Sequence, residues 1–258
     1  MVLARRGLPP PGRAFLAIFC ILAAAAGSSA VNAVLDEELD LKIPRLSRRV
    51  AALRAFGRGR ALAFALLAIA VSLALSGVFL NVMTSALLAA AAGGYAILYT
   101  LLWKRRSPYG TIPGAFPGAL PVLIGYAAVR PRLGVDGLIL FLIVLLWQPP
   151  HFWALALRHR DEYRAAGIPV LPVAYGEPYT KVLIFLYTAA LPPLSLSLWA
   201  LGYLSSSYAW AALVLGAGFL AVFYRDTVVT RAYGRAFAAS IAYLVLLLSS
   251  LLLDLLLR

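Results

Sequence analysis

Asn32, Asp36 and Asp40 stand four residues apart in the stretch Asn32-Ala-Val-Leu-Asp36-Glu-Glu-Leu-Asp40. On a helix, a step of four residues drifts only about 40°. The amide and the two carboxylates therefore share one face, a ladder of hard oxygen donors suited to Mg²⁺. That ion usually completes its shell with a substrate phosphate. Lys42, Arg45, Arg48 and Arg49 follow at once, and ammonium and guanidinium groups bind phosphate oxygens. The alternative is a solvated helix end with flanking charges. Against it, Asn32 falls near the end of an apolar run, where a polar side chain usually has a function.

A second cluster reads Trp147-Gln-Pro149-Pro150-His151-Phe-Trp-Ala-Leu-Ala-Leu-Arg158-His-Arg160-Asp161-Glu162. Two consecutive prolines predict a helix break, with a new helix starting there. His151, Leu155, Arg158 and Glu162 then fall on one stripe, with His151 about 16 Å deeper than Glu162. A histidine at that depth is either a functional group or a cap on a carbonyl freed by the proline break. A third constellation, Lys104-Arg105-Arg106, is followed by Gly110, Gly114, Gly118 and Gly125 among prolines. Those cations serve equally well as an anion site or as a signal that holds a loop on one side of a membrane. The metal candidates are thus Asp36, Asp40, Asp161 and Glu162. The diphosphate candidates are Lys42, Arg45, Arg49, Lys104, Arg105 and Arg158.

The elements that position these residues are apolar helices. The chain has 258 residues, is 63% hydrophobic and only 13% charged, and has a mean hydropathy of +0.89. Runs long enough to cross a bilayer core of about 30 Å predict about eight spans, near 14–35, 61–80, 82–103, 112–129, 136–157, 181–201, 208–224 and 236–257. The loops are short, so the expectation is an all-α, polytopic membrane bundle forming a single domain over residues 1–258. The runs are too long, and alternate too little, for strands. One cysteine, Cys20, excludes a disulfide framework.

The formal net charge of +13 would suggest nucleic acid in a soluble chain. Here topology accounts for it, and no nucleic-acid partner is expected. Of the 23 Lys and Arg residues, 17 fall in the loops after spans one, three, five and seven. The other six are Arg5, Arg6, Arg13, Arg130, Arg132 and Arg258. The positive-inside rule puts the first set, and with it both acidic clusters, in the cytoplasm. No cleavable signal peptide is evident. Of ten acidic residues, four lie within 36–40 and two at 161–162; Asp136, Glu177, Asp226 and Asp254 are scattered. Two acidic clusters facing one compartment call for a shared cation.

These motifs resemble the intramembrane (UbiA-type) prenyltransferase superfamily, which carries an Asn-x₃-Asp-x₃-Asp motif and a second acidic motif. Within it the chain is most similar to the haem O synthase (protohaem IX farnesyltransferase) family. The likeness rests on PHFWALALRHRDEYRAAGIPVLPVAYG from Pro150 to Gly176, on YTLLWKRRSPYGTIPGAFPGALPVLIGYAA from Tyr99 to Ala128, and on the C-terminal FAASIAYLVLLLSSLLLD. It covers roughly residue 14 to the end. The chain departs from the family at Leu46, Val50 and Gly110, where Thr, Pro and Asn are usual, and Glu162 stands where Asp is usual. The family commonly has nine spans, one of them before the Asn-x₃-Asp motif. The expectation is therefore an apolar stretch of about 20 residues encoded in frame upstream of Met1, or else a shortened form.

The resemblance implies farnesyl diphosphate as donor, Mg²⁺ as cofactor and haem B as acceptor. Asn32, Asp36, Asp40 and Glu162 would do the catalytic work, Arg45, Arg49, Lys104 and Arg105 would bind diphosphate, and His151 would serve the haem. Phe152 and Trp153 could shield a cation by cation–π contact. The setting would be the plasma membrane, among membrane lipid, with a haem-modifying membrane enzyme downstream. The residues themselves leave other readings open: a quinone precursor or lipid as acceptor, a non-catalytic paralogue, or a transporter. No convincing internal repeat supports the last.

Overall fold

The computed structural model describes residues 1–257; Arg258, counted above among the six basic residues, lies outside the described residues, as does the side chain of Leu98. No strand occurs among the described residues. Each expected span is a helix: α1 Pro11–Leu35, α2 Arg58–Phe79, α3 Val82–Trp103, α4 Thr111–Ala127, α5 Val135–Arg158, α6 Gly176–Ala200, α7 Ser206–Val229 and α8 Tyr233–Leu256. Seven are long and apolar enough to cross a membrane; α4, with 17 residues, is shorter. At 1.5 Å per residue α4 measures about 25 Å. The chain is thus a multi-pass membrane protein, with one fewer full-length span than the eight apolar runs suggest.

Helices α1 to α4 pack successively on one another, as do α5 to α8, and α4 against α5 joins the two groups. α8 also returns to α5, which closes the second group. Without a hydrophobic drive between helices in lipid, close packing depends on small residues. The seam between α1 and α2 uses Gly27, Ala61 and Ala65, all buried. A Cβ added at Gly27 would sit 2.7 Å from the Ala65 carbonyl oxygen and 2.8 Å from the Ile69 side chain. Backbone cannot yield as a side chain does. Gly27→Ala should therefore cost about 1–3 kcal/mol by overpacking, seen as a lower thermal midpoint in detergent.

Two helices end in a wider coil. The last part of α3, Gly94–Trp103, is π-helical, and so is the end of α7, Arg225–Val229. π segments often mark functional sites, and the first of these delivers Thr100 and Lys104 to the site described below.

The expected break at Pro149-Pro150 does not occur. α5 runs from Val135 to Arg158 through both prolines. They remove two backbone donors, but both rings are buried in the α5 packing. Gln148 Nε2 donates to Ala115 O on α4 (3.0 Å) and to Val144 O one turn back (3.3 Å). Neighbouring helices and a side-chain amide thus hold a segment that proline weakens. The helix ends instead at His159 (φ −111°, ψ 27°), and Arg160–Ala165 forms a separate short helix. The stripe from His151 to Glu162 therefore stops at Arg158, and the depth of about 16 Å inferred from one continuous helix does not apply.

Candidate active site at one end of the bundle

α1 ends at Leu35, and a one-residue junction at Asp36 leads into the short helix Glu37–Asp40. The i to i+4 pattern nevertheless continues, because Asp36 N bonds Asn32 O (2.9 Å) and Asp40 N bonds Asp36 O (2.8 Å). Asn32, Asp36 and Asp40 thus keep the common face that their spacing predicts. All three are buried, Asp36 completely.

Asp36 is the hub. Asn32 Nδ2 donates to its Oδ2 (2.8 Å) and to Thr100 Oγ1 (3.0 Å). Lys104 Nζ bonds the same carboxylate oxygen, and Arg105 Nη2 donates to Oδ1 (2.9 Å) and to Leu35 O (2.7 Å). Arg49 spans the ladder, donating to Asn32 Oδ1 (2.9 Å) and pairing with Asp40 Oδ2 (2.9 Å). Burial alone would raise the Asp36 carboxyl. The Lys104 charge and the hydrogen bonds from Lys104, Arg105 and Asn32 outweigh burial and hold it below the usual carboxylate range. At Asp40 burial prevails over Arg49 and the carboxyl is pushed up.

The second motif joins the first through Arg45. Its Nε pairs with Glu162 Oε2 (3.0 Å) and its Nη2 donates to Tyr163 OH (2.9 Å). His159 Nδ1 lies 2.8 Å from Glu162 Oε1. The hydrogen bond to His159, then those and the charge from Arg45, lower the Glu162 carboxyl. Residues about 120 positions apart thus meet through one guanidinium. His159 and Thr100 were missed in the sequence. For His159 a signal existed, since i and i+3 share a helix face.

Not every candidate gathers here. Asp161 is turned to solvent and pairs with Arg164 (3.0 Å). Lys42 is exposed in the turn after Asp40. Arg158 lies against Gly234 at the start of α8. His151 is buried in the α5–α8 seam, with Nδ1 2.7 Å from Ser240 Oγ and its ring between Phe237 (4.1 Å) and Trp147 (4.6 Å). Nδ1 bonds a serine side chain on α8, not a carbonyl freed by the prolines. Trp153 is buried against Tyr187 in the core, whereas Phe152 lines a small cleft with Tyr99, Lys104, Leu155 and Tyr163.

An apolar cavity of about 360 Å³ opens between α1, α3 and α4. Ser28 and Ser29 line it one turn below Asn32, with Tyr95 and Pro117 across from them. Ile21 is its deepest residue on α1, about 16 Å along the helix from Asn32. The cavity could hold a long apolar tail whose head lies among Asp36, Lys104 and Arg105.

Whether the donors suit a divalent cation can be judged from Asp40. Its Oδ1 is buried without a hydrogen-bond partner among the described residues, and such an orphan is costly unless a cation or donor meets it. No three His, Cys, Asp or Glu side chains among the described residues converge closely enough to hold a metal unaided. That fits Mg²⁺, which takes one or two carboxylates and fills its shell with water and phosphate.

Residues 1–251 match the UbiA prenyltransferase family. A protoheme IX farnesyltransferase from Geotalea uraniireducens (strain Rf4) is 50% identical over 254 residues, 98% of each chain. The fold resembles that of a solved digeranylgeranylglyceryl phosphate synthase (TM-score 0.82, 16% identity, covering 100% of this chain and 90% of that one). It also resembles a UbiA homolog from Archaeoglobus fulgidus bound to DMAPP and Mg²⁺ (TM-score 0.66, 14% identity, covering 93% and 88%). With the acidic ladder, its basic partners and the membrane bundle accounted for, the match across nearly the whole chain decides the matter: the chain belongs to the UbiA prenyltransferase family.

Proposed function

We propose that the chain, acting as one domain, transfers the farnesyl group of farnesyl diphosphate to a vinyl group of haem B, giving haem O. The observation that carries the geometric part is the apolar cavity that begins directly beneath the Asn32–Asp36 cluster. The acceptor rests on the relatives, among them the half-identical protoheme IX farnesyltransferase.

Of the carboxylates Asp36, Asp40 and Glu162, one or two would hold Mg²⁺ directly, with water and phosphate completing its shell; when bound, the ion would neutralise the diphosphate and make it a better leaving group. Lys104, Arg105, Arg45 and Arg49 are placed to bind the remaining phosphate oxygens, where preorganised charge stabilises the transition state. The apolar cavity keeps water from the allylic cation, and the Phe152 ring in the cleft beside Lys104 can face it. The vinyl group attacks the allylic carbon, and water adds to the resulting cation, giving a hydroxyethylfarnesyl side chain. The added water gives up a proton to the released pyrophosphate or to solvent water, and no aromatic hydroxyl has to be deprotonated. The deciding experiment incubates membranes containing the chain with haem B, farnesyl diphosphate and Mg²⁺. Mass spectrometry should show haem O; a prenylated quinone precursor or lipid in its place would overturn the haem assignment.

His151 belongs to the acceptor side of this proposal. Both ring faces are covered and Nδ1 is engaged by Ser240, so the Nε2 edge is what remains for an acceptor. His151→Ala should alter the absorption spectrum of bound haem while Mg²⁺-dependent binding of a farnesyl diphosphate analogue persists. A normal haem spectrum with a lowered melting temperature would assign the residue to packing alone.

The site is proposed to face the cytoplasm across the plasma membrane. Ser47 and Ala165 are exposed near the two acidic motifs, whereas Cys20 is fully buried. In a Cys20→Ala background, Ser47→Cys and Ala165→Cys should both resist an impermeant thiol reagent in intact cells and react after permeabilisation. Labelling of just one would place the motifs on opposite sides.

A further inference from the structure

Two of the scattered acids, Glu177 at the start of α6 and Asp226 at the end of α7, meet a set of cations near the start of α8. Glu177 accepts from Tyr233 OH and pairs with Lys181 (2.7 Å) and Arg231 (3.5 Å). Asp226 pairs with Arg225 (3.0 Å) and Arg235 (3.3 Å). Among the described residues, Arg158 and Arg160 have no acid partner. Arg160 Nε is buried without a hydrogen bond. The Arg158 guanidinium lies over Gly234, where an added Cβ would stand 2.8 Å from its Nη1. Arg158, Arg231 and Arg235 line an open concavity of about 600 Å³ with Tyr233 and Gly234. The charge here exceeds what the local carboxylates neutralise, and none of it faces Asp36.

We propose that this concavity seats the two propionate carboxylates of the acceptor porphyrin. The proposal rests on haem being the acceptor. Guanidinium groups bind carboxylates bidentately, and ionised carboxylates on an otherwise apolar molecule stay at the membrane surface. His151 lies two turns under Arg158 on α5, about 10 Å deeper, beside Phe237 and Trp147. On haem B the vinyl groups lie on the rim away from the propionates. A porphyrin held by its propionates at Arg158 would carry its vinyl rim away from the concavity, and along α5 Phe152 and Leu155 line the cleft that contains Lys104. Arg158, a diphosphate candidate by sequence, becomes an acceptor-binding residue.

The test compares haem B with its dimethyl ester in the full-length chain in nanodiscs, with and without anionic lipid. The wild type should favour haem over the ester by about tenfold in KM, the scale of one charge-assisted pair. Arg158→Gln should raise the KM for haem by about tenfold and erase that preference. Arg158→Lys should recover part of it, and binding of a farnesyl diphosphate analogue should be unchanged in both variants. The ratio between wild type and variant removes the ester's different membrane partitioning. If wild type and Arg158→Gln discriminate equally, the proposal falls while the haem reading stands. If Arg158→Gln alters dependence on anionic lipid and leaves the haem preference intact, the concavity is a lipid site and the proposal also falls. If neither porphyrin is farnesylated but another acceptor is, both readings fall together.

Discussion

Asp36→Asn is expected to lower farnesyl transfer by about a thousandfold or more, while the chain remains inserted and helical. That loss combines removal of a carboxylate proposed to hold Mg²⁺ with damage to the electrostatic frame around the leaving group. Asp36 is fully buried and touches Asn32, Lys104 and Arg105 at once, so no neighbour can take its place. The substitution keeps the shape and removes the charge. It also strands Lys104, and breaking a buried pair is itself destabilising. Asp36→Asn/Lys104→Met separates the two effects, since it removes both charges. The double variant should regain thermal stability and remain inactive. EDTA should inactivate the wild type, and Mg²⁺ should restore it. Substantial turnover by a folded Asp36→Asn protein would sink the metal assignment.

Ala91→Phe is expected to reverse the preference for prenyl length. Ala91 lines the cavity of about 360 Å³ below the ionic cluster, and a phenyl ring there would occupy space proposed for the distal isoprene units. In a bilayer the farnesyl tail already lies in an apolar medium, so entering the cavity adds little hydrophobic free energy. The substitution therefore acts sterically. Overpacking costs about 1–3 kcal/mol, which corresponds to roughly five- to 160-fold in kcat/KM for farnesyl diphosphate. Dimethylallyl diphosphate should be used as well as by the wild type, because its tail ends near Ser28 and Ser29. Equal losses for long and short donors would show that the tail lies elsewhere.

Much of the architecture was legible in the sequence because lipid imposes one strong rule: long apolar runs become helices. All eight runs are helices, although α4 falls short of a full span. The Asn32–Asp36–Asp40 ladder was legible because a spacing of four survives the junction at Asp36. The second motif was read less well, because its stripe assumed that the helix broke at Pro149 and continued past Arg158. Packing around Gln148 kept the prolines helical, and His159 ended the helix instead. That one error of register put Arg158 on the same stripe as Glu162, whereas it lies against Gly234. Adjacency alone left Asp161 and Glu162 both as metal candidates, whereas one faces solvent and the other faces Arg45. The π-helical end of α3, which brings Thr100 to Asn32, leaves no trace in hydropathy, since it changes hydrogen-bond register and not composition.

Asp36 is neutralised by Lys104 and Arg105, and the consequence concerns departure more than arrival. In the proposed reaction, breaking the allylic C–O bond turns the diphosphate into free pyrophosphate, a more highly charged ion that the same cations would hold. In an open site, solvent and salt would have to draw it away. Here a carboxylate fixed beside Lys104 competes for that lysine at an effective concentration no dissolved ion can reach. If Lys104 and Arg105 bind the diphosphate as proposed, the resting ion pair would act as an internal displacer, and clearing the product would become an exchange of counter-ions within the chain. Pyrophosphate is accordingly expected to be a weak product inhibitor, and its release to respond little to added salt.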